Sequence, residues 1–366
     1  CGDFSWPFMS ILNWPLTDVI GILLSIIIPV YNVADYVGKT LTSLEEQTNK
    51  NFELIIVDDG SIDSSLEVVR ERLQTGNISR YSIIEQENAG VSVARNRGFE
   101  KAEGEYVLFL DGDDYVGSNL VERLSTVTRE CSPDIICWGF DKVLKDGKSI
   151  DGYSLKYRNK PEVMMTGLEA LTNMVVKKNM QIWTASAAYK REFITKVGLQ
   201  YTPGCKCGED LEFTYKALSR ADSVLHLRDT LSYYVQRPSS ISNIFKIDRF
   251  DAVFAMTRVS EYISKFVTAE YDFLVELFKL DKTVGTYMHT FHQCLRALKA
   301  EGFSMRSSLK RLKSELELGY PGLYNEMEDI MRSYPWDFSV LSIRMKVFLF
   351  SPILYDRIMS IVKLVR

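Results

Sequence analysis

Three apolar, β-branched runs recur along the first third of the chain: ILLSIIIPV (22–30), FELIIVDDG (52–60) and EYVLFL (105–110), with the shorter RYSIIEQ (80–86) between the last two. Unbroken apolar runs of this length mark strands covered on both faces. The intervening segments, 34–47, 61–73 and 89–102, carry helical spacing, and SIDSSLEVVRERL (61–73) opens on Ser and Asp of the kind that cap helices. Strand and helix alternating at this interval predict βαβ units and a parallel sheet.

In such sheets ligands bind beyond the carboxyl ends of the strands. The polar clusters fall there: YN after the first strand, DDGS after the second, ENAG after the third and DGDD after the fourth. Four strand ends therefore deliver polar groups to one rim. Farther on, DIICWGF, TASAAYK, SVLHL and LSYYVQ predict short strands, with helices near 166–178 and 209–220. From about 246 the pattern is helical, with two long helices expected over 246–300. The expected division is an N-terminal appendage (1–21), an α/β domain (22–245) and a helical C-terminal region (246–366).

The 366 residues exceed what one compact core usually needs. A net charge of −4 without a basic run argues against a nucleic-acid partner. The six cysteines have no zinc spacing and read as free thiols of a reducing cytosol. No clean apolar run of membrane-spanning length occurs.

Asp111 and Asp113, two apart with Gly112 between them, share a direction if the segment is extended. Carboxylates grouped after a buried strand suit a hard divalent cation also held by phosphates, although an isolated D-G-D-D is usually a surface turn. Asp58 and Asp59 stand where a carboxylate can accept from a nucleobase or a ribose, or simply cap the next helix. Gly90, Arg95, Asn96 and Arg97 lie in NAGVSVARNRG, where arginine can fork onto phosphate. Glu209 and Asp210 follow Gly208 at a helix start, where the dipole alone favours acids; either is a candidate general base. His289 and His292, at i and i+3, lack a third ligand and read as structural.

Taken together, SIIIPVYN (25–32), IIVDDGSID (55–63), ENAGVSVARNRG (87–98), YVLFLDGDD (106–114), GED (208–210) and YYVQRPSSIS (233–242) resemble glycosyltransferase family 2, the inverting enzymes with the GT-A fold. The resemblance covers about 22–245. It implies a mostly parallel central sheet between helices, with a C-terminal helical appendage. It implies a base pocket lined by Pro29, Tyr31 and Asn32, with Asp58 or Asp59 on the base. Arg95 and Asn96 would lie near the ribose and diphosphate, and Gly90 would be among the donor-binding residues. Asp111 and Asp113 would form the D-x-D motif that holds Mn²⁺ or Mg²⁺, Asp113 more directly. Asp210 would be the base, and Arg237 and Ser240 would belong to a segment closing over the diphosphate, in a stretch where many relatives carry other residues.

The implied reaction moves a hexosyl or hexosaminyl group from a nucleoside diphosphate sugar, a UDP-sugar first, to a saccharide or lipid-linked saccharide acceptor in surface polysaccharide or glycolipid synthesis. The implied place is the cytoplasm, at the inner face of the plasma membrane. The alternative is a non-catalytic nucleotide-sugar binding module. A dehydrogenase would need G-x-G-x-x-G where the chain has PVYNVADYVG. The basic, apolar tail SIRMKVFLFSPILYDRIMSIVKLVR (342–366) suits a membrane interface, packing on the catalytic domain or a homo-oligomer contact.

Overall fold

The computed structural model describes residues 21–151, 162–236, 245–335, 337 and 339–364. Arg237, Ser240 and nearly all of the N-terminal appendage lie outside the described residues.

The alternation expected from sequence is present: β1 (Leu24–Val30), α1 (Ala34–Glu45), β2 (Phe52–Asp58), α2 (Ser65–Thr75), β3 (Tyr81–Glu85), α3 (Val91–Lys101) and β4 (Tyr106–Phe109). These strands form a parallel half-sheet in the order β3-β2-β1-β4. β1 lies between β2 and β4 and is buried at every residue but Pro29, which is why its sequence is apolar without alternation. β3 is the edge, and its residues are exposed or half-exposed.

The sheet continues through β5 (Tyr115–Val116), β6 (Ile135–Val143), β7 (Ser149–Asp151), β8 (Val163–Met165), β9 (Ala187–Lys190) and β10 (Val224–Val235). The full order is β3-β2-β1-β4-β9-β6-β10-β5, with β7 on β6 and β8 on β10. β9 runs antiparallel to both β4 and β6, yet most paired residues lie in parallel ladders. The two short strands expected at 223–236 are one strand. The polar Arg228, Asp229 and Thr230 break the apolar run, but β10 stays paired with β6 through register shifts opposite Gly139. A Cβ at Gly139 would meet the Asp229 carbonyl at 3.1 Å, so the irregularity needs glycine there.

The connecting helices are α4 (Leu120–Glu130), α5 (Gly167–Val175), α6 (Arg191–Val197) and α7 (Glu209–Leu218). Helices α8 (Asp251–Ile263), α9 (Asp272–Glu276) and α10 (Thr283–Ala300) follow, with a π-helical stretch at Leu277–Lys282 before α10. That stretch and α9 take the place of simple continuity between the two long helices expected. The chain ends in α11 (Met305–Gly319), α12 (Leu323–Ser333), α13 (Val340–Phe350) and α14 (Pro352–Leu364).

Ala255, Met256, Val259 and Ile263 of α8 join the core that holds Ile27, Val57 and Phe109, and that core runs on to Phe278. Chain beyond 245 is therefore built onto the sheet that carries the rim. A separate core around Tyr287, Phe291, Phe348 and Tyr355 joins α10 to the last helices.

Candidate active site

The rim begins with a left-handed residue. Asn32 has φ 52°, a conformation that Asn tolerates because its side chain bonds locally. Its Oδ1 accepts from the Ile62 amide at 2.9 Å, and its own amide donates to Ser61 Oγ at 3.3 Å. Asn32 thus ties the end of β1 to the loop after β2. Beside it Pro29 is half-buried and Tyr31 is 47% exposed.

The adjacent aspartates at the end of β2 are both buried but differ in how they are satisfied. Asp59 accepts from Gln86 Nε2 (2.7 Å), the Ala89 amide (2.8 Å) and the Gly90 amide (2.9 Å). It shapes the loop into α3, where Gly90 holds φ +91°. Asp58 Oδ2 accepts the Ser61 amide at 3.2 Å, while Oδ1 is buried with no hydrogen-bond partner. An unmade hydrogen bond at a buried carboxylate is costly and calls for an explanation. Of the two, Asp58 is the one with acceptor capacity to offer a ligand.

The three carboxylates after β4 also part ways. The segment is a turn and not extended, because the Asp114 amide donates to the Asp111 carbonyl at 3.0 Å. The alternation expected for Asp111 and Asp113 therefore does not apply. Gly112 is held close to β1, where an added Cβ would meet the Pro29 carbonyl at 3.2 Å. Asp114 is buried and accepts the Val235 amide at 2.7 Å, fastening the turn to β10. Asp113 is half-buried. Asp111 is paired with Arg95.

Arg95 organises this region. It is buried on α3, and its guanidinium reaches Asp111 at 2.7 Å and Glu209 at 3.1 Å while lying 4.9 Å from the Tyr201 ring centre. Burial works to lower its pKa, but Asp111, Tyr201 and Glu209 outweigh it and the net shift is upward, so it stays charged. Its neighbour Asn96 uses its amide in both directions on the Tyr201 backbone, at 2.8 and 2.9 Å, which joins α3 to the segment before α7.

That segment ends at Gly208, in the left-handed region at φ +83°. A Cβ there would stand 2.9 Å from Ala252 Cα, so α8 packs directly on the start of α7. One turn along, buried Glu212 accepts from Arg258 on α8 at 2.6 Å, from Lys216 at 2.6 Å and from Thr202 at 2.7 Å. Burial raises the Glu212 pKa, but these partners overcome it and the net shift is downward.

Glu209 and Asp210 occupy the first turn of α7. Burial first, then repulsion from Asp210, pushes Glu209 up to about 7 against the pull of Arg95. Burial also raises Asp210, again opposed chiefly by Arg95. A raised carboxyl pair next to a buried cation is an electrostatic setting suited to a general base working near neutrality.

Among the described residues no group of three or more His, Cys, Asp and Glu side chains could hold a metal by itself. His292 pairs with Asp356 at 2.6 Å and His289 with Gln293 at 2.6 Å, matching the structural reading of both. Sequence reasoning missed the Arg95–Glu209 contact and the tie from Asp114 to β10. The partners are 114 and 121 residues apart, and no local pattern carries such a signal.

Residues 25–198 match the family described as "Glycosyl transferase family 2". This chain carries a glycosyltransferase family 2 domain. The uncharacterized glycosyltransferase EpsJ of Bacillus subtilis (strain 168) is 32% identical over 225 residues, covering 61% of this chain and 63% of that protein. The chain thus spans less than two thirds of that relative's length. The crystal structure of S. aureus TarS 1-349 in complex with UDP-GlcNAc is similar with a TM-score of 0.61 and 22% identity, over 91% of this chain and 88% of that one. The mannosyltransferase PcManGT from Pyrobaculum calidifontis, in complex with GDP-Man and Mn²⁺, gives 0.51 and 16%, over 92% and 86%. At these identities the likeness is one of fold, and the fold is GT-A with helices added at the C-terminal end.

Proposed function

We propose that this chain is an inverting glycosyltransferase that moves a sugar from a nucleoside diphosphate sugar, a UDP-sugar first, to a saccharide hydroxyl. The observation that carries the reading is the Arg95 bridge. It sets the acid pair Glu209–Asp210 beside the Asp111 turn, so a proton acceptor and a diphosphate-side carboxylate share one centre. Asp58 Oδ1 supplies an unfilled acceptor for a base N–H or a ribose hydroxyl, and exposed Tyr31 offers a ring face nearby in sequence. Asn32, Asp59, Gly90 and Asn96 act by holding the loops that present these groups. Arg237 and Ser240 remain assigned to closure over the diphosphate by family resemblance alone.

Asp111 and Asp113 fit a hard divalent cation. Two carboxylates without a third protein ligand suit Mn²⁺ or Mg²⁺, which keep waters and take diphosphate oxygens. Such an ion would neutralise charge on the leaving diphosphate. On the acceptor side Asp210 takes the hydroxyl proton, and Glu209, held by Arg95, is the less free of the two acids.

Two experiments test this. A panel of UDP- and GDP-sugars should raise the melting temperature for the cognate donor by mass action. Asp58→Asn should weaken that shift by roughly ten- to a hundredfold in donor concentration, because a hydrogen bond to a charged acceptor contributes about 1.5–3 kcal/mol. An unchanged donor response in Asp58→Asn would remove Asp58 from the base pocket. In the second, chelator-treated protein should lose turnover and regain it with Mn²⁺ or Mg²⁺, and Asp113→Asn should need far more ion. Full turnover after chelation would reject the metal assignment. Donor binding with no transfer to any acceptor would favour the binding-module reading.

A further inference from the structure

The last two helices expose apolar side chains where most of the molecule does not. Val340 is 75% exposed, Phe350 83% and Ile361 61%, and Ile343, Leu354 and Ile358 are also exposed. On α13, Val340, Ile343, Lys346 and Phe350 fall on one side by helical spacing; on α14, Leu354, Arg357, Ile358 and Ile361 do the same. The opposite sides, through Met345, Phe348 and Tyr355, enter the C-terminal core. The two helices are joined by Ser351 alone, and both turn their other sides to the same core.

The charge on these helices is one-sided. Asp356 is the one acid between 340 and 364, and it is buried against His292. Lys346 and Arg357 are exposed among the apolar side chains, on a chain whose net charge is −4. Large apolar groups interleaved with cations, with the acid turned inward, match the apolar boundary and anionic headgroups of a bilayer surface. A second copy fits less well, because a two-fold contact sets the same basic patch against itself. Among the described residues no helix is long and apolar enough to cross a membrane, so the contact is with the surface.

We propose that the outer face of α13 and α14 docks on an anionic lipid bilayer, with Phe350, Leu354, Ile358 and Ile361 entering the acyl boundary and Lys346 and Arg357 meeting headgroup phosphates. This holds or fails independently of the transferase reading, since its test needs no turnover.

The test is co-sedimentation of the full chain with vesicles of phosphatidylcholine alone or in equal parts with phosphatidylglycerol. The full chain should sediment with the mixed vesicles and be released by high salt. Lys346→Glu/Arg357→Glu should lower partitioning by at least ~30-fold, as two basic charges at about one kcal/mol each imply. Phe350→Ser/Ile361→Ser should lower it as well. All four sites are exposed, so circular dichroism should be unchanged. Absent binding, equal binding to neutral vesicles, or full binding by the charge-reversed variant would overturn the proposal. So would light scattering that shows a dimer dispersed by Phe350→Ser/Ile361→Ser, which would assign the face to a second copy.

Discussion

Asp210→Asn is expected to reduce turnover by about 10²–10⁴-fold, the usual range for a lost general base, while donor affinity stays near its starting value. The substitution keeps size and shape and removes the proton acceptor. Asp210 also accepts the Leu211 amide at 2.7 Å, which an amide oxygen can still do, so α7 should start normally. Turnover and donor titration on the same preparation separate the roles. Near-normal turnover would clear Asp210, and lost donor binding would make it a donor-site residue.

The pH profile carries a matching expectation. Burial raises both acids, and Glu209 reaches about 7, so turnover should fall as pH drops through neutrality and the pair takes up a proton. Stability should move the opposite way. Between the ordinary carboxyl pKa near 4.5 and 7, folded Glu209 keeps a proton that the unfolded chain releases. The folded state is therefore favoured at the acid end of that window and loses this contribution as pH rises through it.

Arg95→Met is expected to be the most destabilising of the substitutions considered. It removes a buried cation between two partly buried carboxylates, and breaking a buried pair by deleting one partner typically costs about 3–5 kcal/mol. Arg95→Lys should recover only part of this, since an ammonium cannot fork between Asp111 and Glu209 as a planar guanidinium does. Denaturant unfolding with unchanged slope is the measurement. A loss below about 1 kcal/mol would mean that Asp111 and Glu209 find other partners or solvent.

The parallel half-sheet was legible because its strands are covered on both faces, and that coverage writes unbroken β-branched runs into 22–30, 52–60 and 105–110. The rim was legible for the same reason, since polar clusters at strand ends have one place to go. The division of labour within each cluster was not. Asp58 and Asp59 are neighbours with like side chains, and only the fold of 86–90 over Asp59 distinguishes them. The D-G-D-D stretch allowed either an extended continuation of β4 or a turn; the chain turns at once and hands Asp111 to Arg95 and Asp114 to β10. Arg95 lies 16 residues from Asp111 and Val235 lies 121 from Asp114, and side-chain periodicity within one element encodes neither pairing.

The Arg95 bridge also bears on the order in which the molecule is made. Synthesis runs from the amino end, and strands β1 to β4 with Arg95 and Asp111 leave the ribosome well before α7 exists. Until Glu209 arrives, 114 residues later in sequence than Arg95, the guanidinium has only Asp111 to answer it, and Asn96 in the middle of α3 lacks the Tyr201 backbone that it holds. α8 follows later still and presses against Gly208. The Arg95 cluster is thus the seam between early and late chain, closed at the entropic expense of long loops. A nascent chain carries Arg95 and Asp111 without the Glu209 that completes their charge balance, so on the proposed reading chemical competence comes with completion of the fold.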